Sequence, residues 1–143
     1  MDPRPVIMIA ENNPDLRWLY QHWLEDAGFF VRPVEDGAWA LAEALPDPPD
    51  LLLVDLELPH VDGFEVCRRM RATGASRPLI LATCARPDRI ARIRAECASA
   101  DCVLLKPFGR VELITQVERI LGCAGADCYN DMRKLEQPVG DGG

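Results

Sequence analysis

The chain has 143 residues, enough for one domain with a real core, and 23 acidic against 16 basic residues leave a net charge of −7. So acidic a surface is a poor match for a phosphate backbone, and no direct nucleic-acid contact is expected. No apolar run nears the length of a membrane span, and the opening "MDPRPV" has neither the basic nor the apolar region of a signal peptide, so the expectation is a cytoplasmic protein with no membrane partner.

Residues 5–10 are an apolar run that reads as a buried strand. Asn13-Pro14 then supplies an amide N-cap and a proline at the first helical position. Leu16, Leu19, Tyr20, Trp23, Leu24 and Ala27 follow at helical spacing, and Gly28 ends that helix. "FFVRPV" is a second strand, sent to a sheet edge by Pro33, which cannot donate to a ladder. Asp36-Gly37 opens a second helix, with Ala38, Leu41, Ala42 and Leu45 expected inward. "PDPP" breaks the chain before "DLLLVD", a strand apolar on both faces, as in the middle of a parallel sheet.

Asp62-Gly-Phe-Glu65 reads as a capping box that starts a third helix, running to about Arg71. "PLILAT" is a fourth strand, "PDRIARIRAECA" a fourth helix and "DCVLL" a fifth strand. Residues 110–121 form a last helix, with Val111, Ile114, Val117 and Leu121 expected inward. This alternation argues an α/β fold, a parallel sheet with helices on both faces. After Gly122 the periodicity fades, so residues 1–122 read as the domain and residues 123–143 as a C-terminal extension or linker remnant. The six cysteines, Cys67, Cys84, Cys97, Cys102, Cys123 and Cys128, include no Cys-x-x-Cys pair, and His22 and His60 stand apart from them. Zinc is therefore not expected, and the thiols read as small buried hydrophobes with a few at the surface.

In an open parallel sheet, ligands bind beyond the carboxyl ends of the strands. The strands here end in Glu11-Asn12, Asp55, Thr83 and Lys106-Pro107, so acids, a hydroxyl and an ammonium converge on one rim. At these positions the chain resembles a response-regulator receiver domain, over about residues 5–121. The resemblance rests on "LLLVDLELPHVDG" around Asp55, "LILAT" ending at Thr83 and "LLKPF" containing Lys106. "AENNPD" matches the family's acidic-pair segment in position and partly in content.

The resemblance implies a flavodoxin-like doubly wound (βα)5 fold with strand order 2-1-3-4-5 and the first and last helices on one face. It implies that Asp55 takes a phosphoryl group from a sensor histidine kinase or a histidine phosphotransfer protein, through an acyl phosphate. Such a domain is a self-phosphoacceptor with slow autodephosphorylation rather than an enzyme acting on other substrates. Lys106 would pair with the phosphoryl oxygens, beside a cis Lys–Pro bond, and Thr83 would hydrogen-bond the phosphoryl group. Mg²⁺ would be held by Glu11, Asn12, Asp55 and the backbone carbonyl of Glu57. Output would pass to a downstream protein partner or a homodimer, the family's usual surface being the fourth helix, fifth strand and fifth helix.

Several residues depart from the family pattern. The acidic pair is Glu11-Asn12, so its second acid is missing. A unit charge at contact range is worth about 4 kcal/mol gross at intermediate dielectric, so weakened metal binding is expected. The side chain of Glu57 could compensate, or could be a solvated loop acid. The family's switch couples the threonine to an aromatic residue on strand five, and that position is Val103. Signalling would then pass through the loop after strand four. Cys84 follows the threonine where alanine is common, and Ser99 stands where a glycine commonly ends helix four. Trp23 is assigned to the core, Trp39 falls at a usually polar position of the second helix, and Trp18, off the apolar face of the first helix, is the candidate partner contact. A rival reading is a degenerate receiver that acts as a phosphorylation-independent interaction module. Asn12 and Val103 favour it; Asp55, Thr83 and Lys106 together disfavour it.

Overall fold

Strands and helices alternate through the chain as the hydrophobic pattern requires. A computed structural model describes residues 4–96 and 100–122. The elements are β1 (Val6–Ala10), α1 (Pro14–Asp26), β2 (Phe30–Val34), α2 (Gly37–Ala44), β3 (Leu51–Asp55), α3 (Gly63–Arg71), β4 (Leu79–Cys84), α4 (Ile90–Glu96), β5 (Cys102–Leu105) and α5 (Arg110–Gly122). A 3₁₀ turn, Pro87–Arg89, leads into α4. The five strands form one parallel sheet in the order β2-β1-β3-β4-β5, the doubly wound arrangement expected.

Pro33 lies on the edge strand β2, opposite Ile9, where its missing N–H costs no ladder bond. β3 is central and buried along its whole length. One core cluster joins Ile7, Ile9, Leu51 and Leu53 to Tyr20 and Leu24 of α1 and Leu113 and Val117 of α5. The other joins Met8, Leu52 and Val54 to Ala40 of α2, Phe64 of α3 and Ile93 of α4. Alternate strand residues thus feed opposite faces, and α1 and α5 share a face as expected.

The helix starts carry the expected caps. Asn13 Oδ1 accepts from the Asp15 and Leu16 amides at 2.9 and 3.1 Å, and Asp62 Oδ1 accepts from the Glu65 amide at 2.9 Å. The box at Asp62 is not reciprocal, because Glu65 turns its carboxylate to Arg68. Gly63 is a steric requirement: a Cβ there would lie 2.3 Å from the Asp55 carbonyl oxygen. Glycine lets α3 start directly against the end of β3.

Two expected faces need correction. In α2 the inward residues are Gly37, Ala40, Leu41 and Ala44, whereas Ala38, Ala42 and Leu45 are exposed. Gly37 packs on the Val61 backbone, where a Cβ would lie 1.9 Å from the carbonyl oxygen, and that contact fixes the rotation of the helix. In α5 Val111 is 76% exposed, and Leu113 and Ile120 are buried beside Val117. Cys67, Cys84 and Cys102 are buried thiols. Ser99, Cys97, Cys123, Cys128 and the segment 123–143 lie outside the described residues.

Candidate active site

The carboxyl ends of the strands bring Glu11, Asp55, Thr83 and Lys106 together. Asp55 closes β3 and is paired in register with Thr83 of β4, and the Leu56 amide donates to the Thr83 carbonyl at 2.9 Å. Lys106 follows β5, its amide donating to the Cys84 carbonyl at 2.9 Å and its peptide bond to Pro107 cis, as expected. Its ammonium Nζ donates to Glu11 Oε1 at 2.7 Å and to Asp55 Oδ2 at 3.2 Å. One cation thus bridges two nearly buried carboxylates.

The remaining carboxylate oxygens are also engaged. Glu11 Oε2 accepts from the Asn13 amide at 3.0 Å, and Asp55 Oδ1 accepts from the Glu57 amide at 2.9 Å. Burial lifts Glu11 above the ordinary carboxylate range; the hydrogen bond from Lys106 opposes this and the Asp55 charge adds to it. Burial pulls Lys106 down, but its bond to Glu11 and the charges of Asp55 and Glu11 outweigh that, and the ammonium ends above its ordinary value. Lys106 is therefore a positive charge at neutral pH, held between Glu11 and Asp55. The Thr83 hydroxyl is buried and has no hydrogen bond among the described residues.

Asn12 stands at the exposed rim. Its amide nitrogen donates to the Glu35 carbonyl at 3.4 Å, which turns that group sideways, toward the loop after β2. Glu57 divides its roles: its backbone sits against Asp55, but its carboxylate crosses to the β4–α4 loop. There Oε1 accepts from the Ala85 amide at 3.2 Å and Oε2 faces Arg86 Nε at 4.0 Å. The carboxylate is therefore committed to a loop contact, which speaks against its serving as a substitute for the missing acid. Among the described residues no three His, Cys, Asp or Glu side chains form a metal-holding group. What the rim offers is the Glu11 and Asp55 carboxylates and the Asn12 amide, oxygen donors that suit a hard divalent cation and not zinc.

Val103 is buried on β5, in register with Ala82. Trp18 is 59% exposed on α1 and stacked on His22, with centroids 4.3 Å apart. Trp39 is exposed on α2, and Trp23 packs against the α1–α5 core. Two contributors escaped the sequence reading. Arg17 Nη1 donates to the carbonyls of Glu11 at 2.8 Å and Asn12 at 3.3 Å, clamping the acidic segment from α1. Tyr20, read only as core, is stacked on Phe108, and burial, with the charges of Glu11 and Asp55, lifts its phenol above the ordinary value. The signal for each was a polar tip on the first two turns of a helix whose side chains lean toward its N-terminus.

A family model described as the response regulator receiver domain matches residues 7–118. Response regulators named MprA from Mycobacterium ulcerans (strain Agy99) and Mycobacterium tuberculosis (strain CDC 1551 / Oshkosh) are each 34% identical over 115 residues, 80% of this chain. Those alignments take in 49% and 50% of the relatives, so the chain spans about half the length of the curated proteins it matches. Among solved structures, the receiver domain of sensor histidine kinase PA1611 from Pseudomonas aeruginosa PAO1 superposes with a TM-score of 0.73 at 29% identity, covering 84% of this chain and 99% of that one. That structure holds a magnesium ion coordinated in its active-site cleft. Chemotaxis protein CheY4 of Vibrio cholerae superposes with a TM-score of 0.74 at 26% identity, covering 83% of this chain and all of its own.

Proposed function

The chain belongs to the response regulator receiver domain family, and from that membership we propose that Asp55 accepts a phosphoryl group from a sensor histidine kinase or histidine phosphotransfer protein. The observation that carries this reading is the Lys106 ammonium bonded at once to Asp55 and Glu11. A carboxylate oxygen of Asp55 attacks phosphorus, the bond from phosphorus to the donor's nitrogen breaks, and an acyl phosphate forms. Lys106 then balances the new negative charge as a preorganised cation. The buried Thr83 hydroxyl, beside Asp55 in register, can donate to a phosphoryl oxygen. The acyl phosphate is lost slowly to water, and no other substrate is processed.

The donor set suits Mg²⁺, which Glu11, Asp55, the Asn12 amide oxygen and the Glu57 carbonyl would hold. When bound, the ion supplies charge neutralisation as phosphate approaches a carboxylate. Asn12 brings an oxygen without a charge, so binding is weaker than with a second acid. Residues 1–122 are the receiver, residues 123–143 an extension, and the setting is cytoplasmic. The signal leaves by docking to a protein partner or by homodimer formation, without nucleic-acid contact by this domain and without a membrane partner. Trp18, exposed on α1, is the proposed contact for the phosphodonor protein.

A second reading, a phosphorylation-independent interaction module, draws on Asn12 and Val103. One experiment separates the two: intact mass after incubation with acetyl phosphate, with and without Mg²⁺, for wild type, Asp55→Ala and Asn12→Asp. A Mg²⁺-dependent adduct absent from Asp55→Ala supports the acceptor reading, and Asn12→Asp should then reach it at lower Mg²⁺. No adduct in either wild type or Asn12→Asp would favour the interaction module.

A further inference from the structure

Arg17 is a half-buried guanidinium that makes no ion pair among the described residues, although the chain carries 23 acidic groups. It turns to backbone instead: Nη1 reaches the Glu11 carbonyl at 2.8 Å and the Asn12 carbonyl at 3.3 Å. The pairing of β1 with both neighbouring strands ends at Ala10, and no backbone amide donates to either oxygen among the described residues. A carbonyl at a part-buried strand end is costly to leave unmet, so the guanidinium fills a real need. The other tethers of this segment are weaker, or lie further along, or depend on it. The Asn12 side chain adds only a 3.4 Å bond to the Glu35 carbonyl, and Asn13 ties the chain to α1 one residue later. The Glu11 carboxylate takes the Asn13 amide at 3.0 Å and Lys106 at 2.7 Å, and both bonds presuppose the course of residues 11–13. A charged donor at 2.8 Å outweighs a neutral one at 3.4 Å.

We propose that Arg17 is a positioning residue of the site. By gripping the Glu11 and Asn12 carbonyls it fixes the turn that presents the Glu11 carboxylate and the Asn12 amide at the rim, and so sets how firmly that pair holds a divalent cation. The second half of this rests on the Mg²⁺ reading. The grip matters more here because the pair brings one charge rather than two, which leaves less attraction to pull a loose segment into place. Arg17 is not itself a ligand, and its own charge repels a cation. The sign of its effect therefore separates two roles. As a mere neighbouring charge it would weaken cation binding; as a clamp on the ligand segment it strengthens it.

The test is Arg17→Met, which keeps an apolar stem and removes the donors and the charge, with Arg17→Lys as a milder partner that keeps the charge. Mg²⁺ alone is titrated into each protein, without a phosphodonor, and followed by the amide resonances of the rim. Half-saturation should need about three- to tenfold more Mg²⁺ in Arg17→Met, the scale of one hydrogen bond, with Arg17→Lys in between. A second arm needs no metal. Hydrogen exchange at the Asn13 amide, which donates to Glu11, should quicken in Arg17→Met by a larger factor than exchange along β3. Mg²⁺ held as tightly as in wild type, or more tightly, with Asn13 exchange unchanged, would overturn the proposal. So would exchange that quickens by the same factor at Asn13 and along β3, because Arg17 would then serve global stability alone. Faster exchange confined to Asn13, in a chain whose resonances ignore Mg²⁺, would uphold the clamp and remove the Mg²⁺ reading instead.

Discussion

Asp55 has two unlike neighbourhoods. Toward β1 and β5 the contacts are short and shielded: Lys106 reaches Glu11 at 2.7 Å and Asp55 at 3.2 Å, over the packed rings of Tyr20 and Phe108. Beyond β4, toward the loop that leads to α4, the next residues make looser and half-exposed side-chain contacts: the Glu57 carboxylate meets the Ala85 amide at 3.2 Å and Arg86 at 4.0 Å, with the Arg86 side chain 50% exposed. Charges held in low dielectric resist rearrangement, while a solvated pair gives way cheaply. The difference suggests a division of labour: chemistry on the fixed side, response on the loose side.

The severest challenge to that division is Lys106→Met. It leaves two buried carboxylates without their cation, so phosphorylation of Asp55 by acetyl phosphate should fall by a factor on the order of a hundred or more. Stability at pH 7 should drop by about 2–3 kcal/mol in urea denaturation, somewhat under the cost of breaking a fully buried pair. The loss should shrink in acid, where Glu11, its folded value raised, takes up a proton and no longer needs the ammonium. A variant as stable as wild type at neutral pH would mean the fixed side is not held by charge.

Next comes the joint between the sides. Gly63 lies on the Asp55–Leu56 backbone, and a Cβ there would come within 2.3 Å of the Asp55 carbonyl oxygen. Gly63→Ala should cost roughly 1–3 kcal/mol through forced backbone movement, and should slow phosphorylation with it. Stability lost without any effect on phosphorylation would show that the end of β3 does not depend on this contact for its aim.

A subtler check uses pH. Glu11 has its folded value raised, so the folded state holds this proton more tightly than the unfolded chain. The penalty of ionising it is absent below the unfolded value and grows as pH rises from about 4.5 through the higher folded value. Glu11→Gln removes that slope. Its melting temperature, relative to wild type, should climb between pH 4.5 and neutrality. A constant difference across that window would mean Glu11 is not strained by burial.

Much of this molecule could be read from sequence, for physical reasons that differ from place to place. β3 declared itself because five consecutive buried residues leave no polar face, and Pro33 placed β2 at the edge by lacking one donor. Asp55, Thr83 and Lys106 were visible because polar residues at strand ends have few other reasons to be there, and the structure brings them together. The face of α2 was misread because "GAWALAEA" is apolar almost all round, and a contact 24 residues away, Gly37 on Val61, chose its rotation. Val111 was misread because periodicity ignores where a helix first meets the sheet. The direction of the Glu57 carboxylate depends on a loop 28 residues on, which no local pattern encodes.

That loop supplies the mildest prediction, and the one that defines the loose side. Glu57→Gln keeps an oxygen for the Ala85 amide but gives up the charge facing Arg86. An exposed pair at 4.0 Å contributes little, so stability should change by no more than about 0.5 kcal/mol. Hydrogen exchange at the amides of Ala85 and Arg86 should nevertheless quicken, because their link to the acceptor loop is weaker. Phosphorylation adds roughly 1.5 to 2 negative charges close to the Glu57 carboxylate, which should push it away and loosen the same amides in wild type. In Glu57→Gln that push is missing, so the change on phosphorylation should be smaller. Equal changes in the two proteins would show that the loop senses the phosphoryl group by some route other than Glu57.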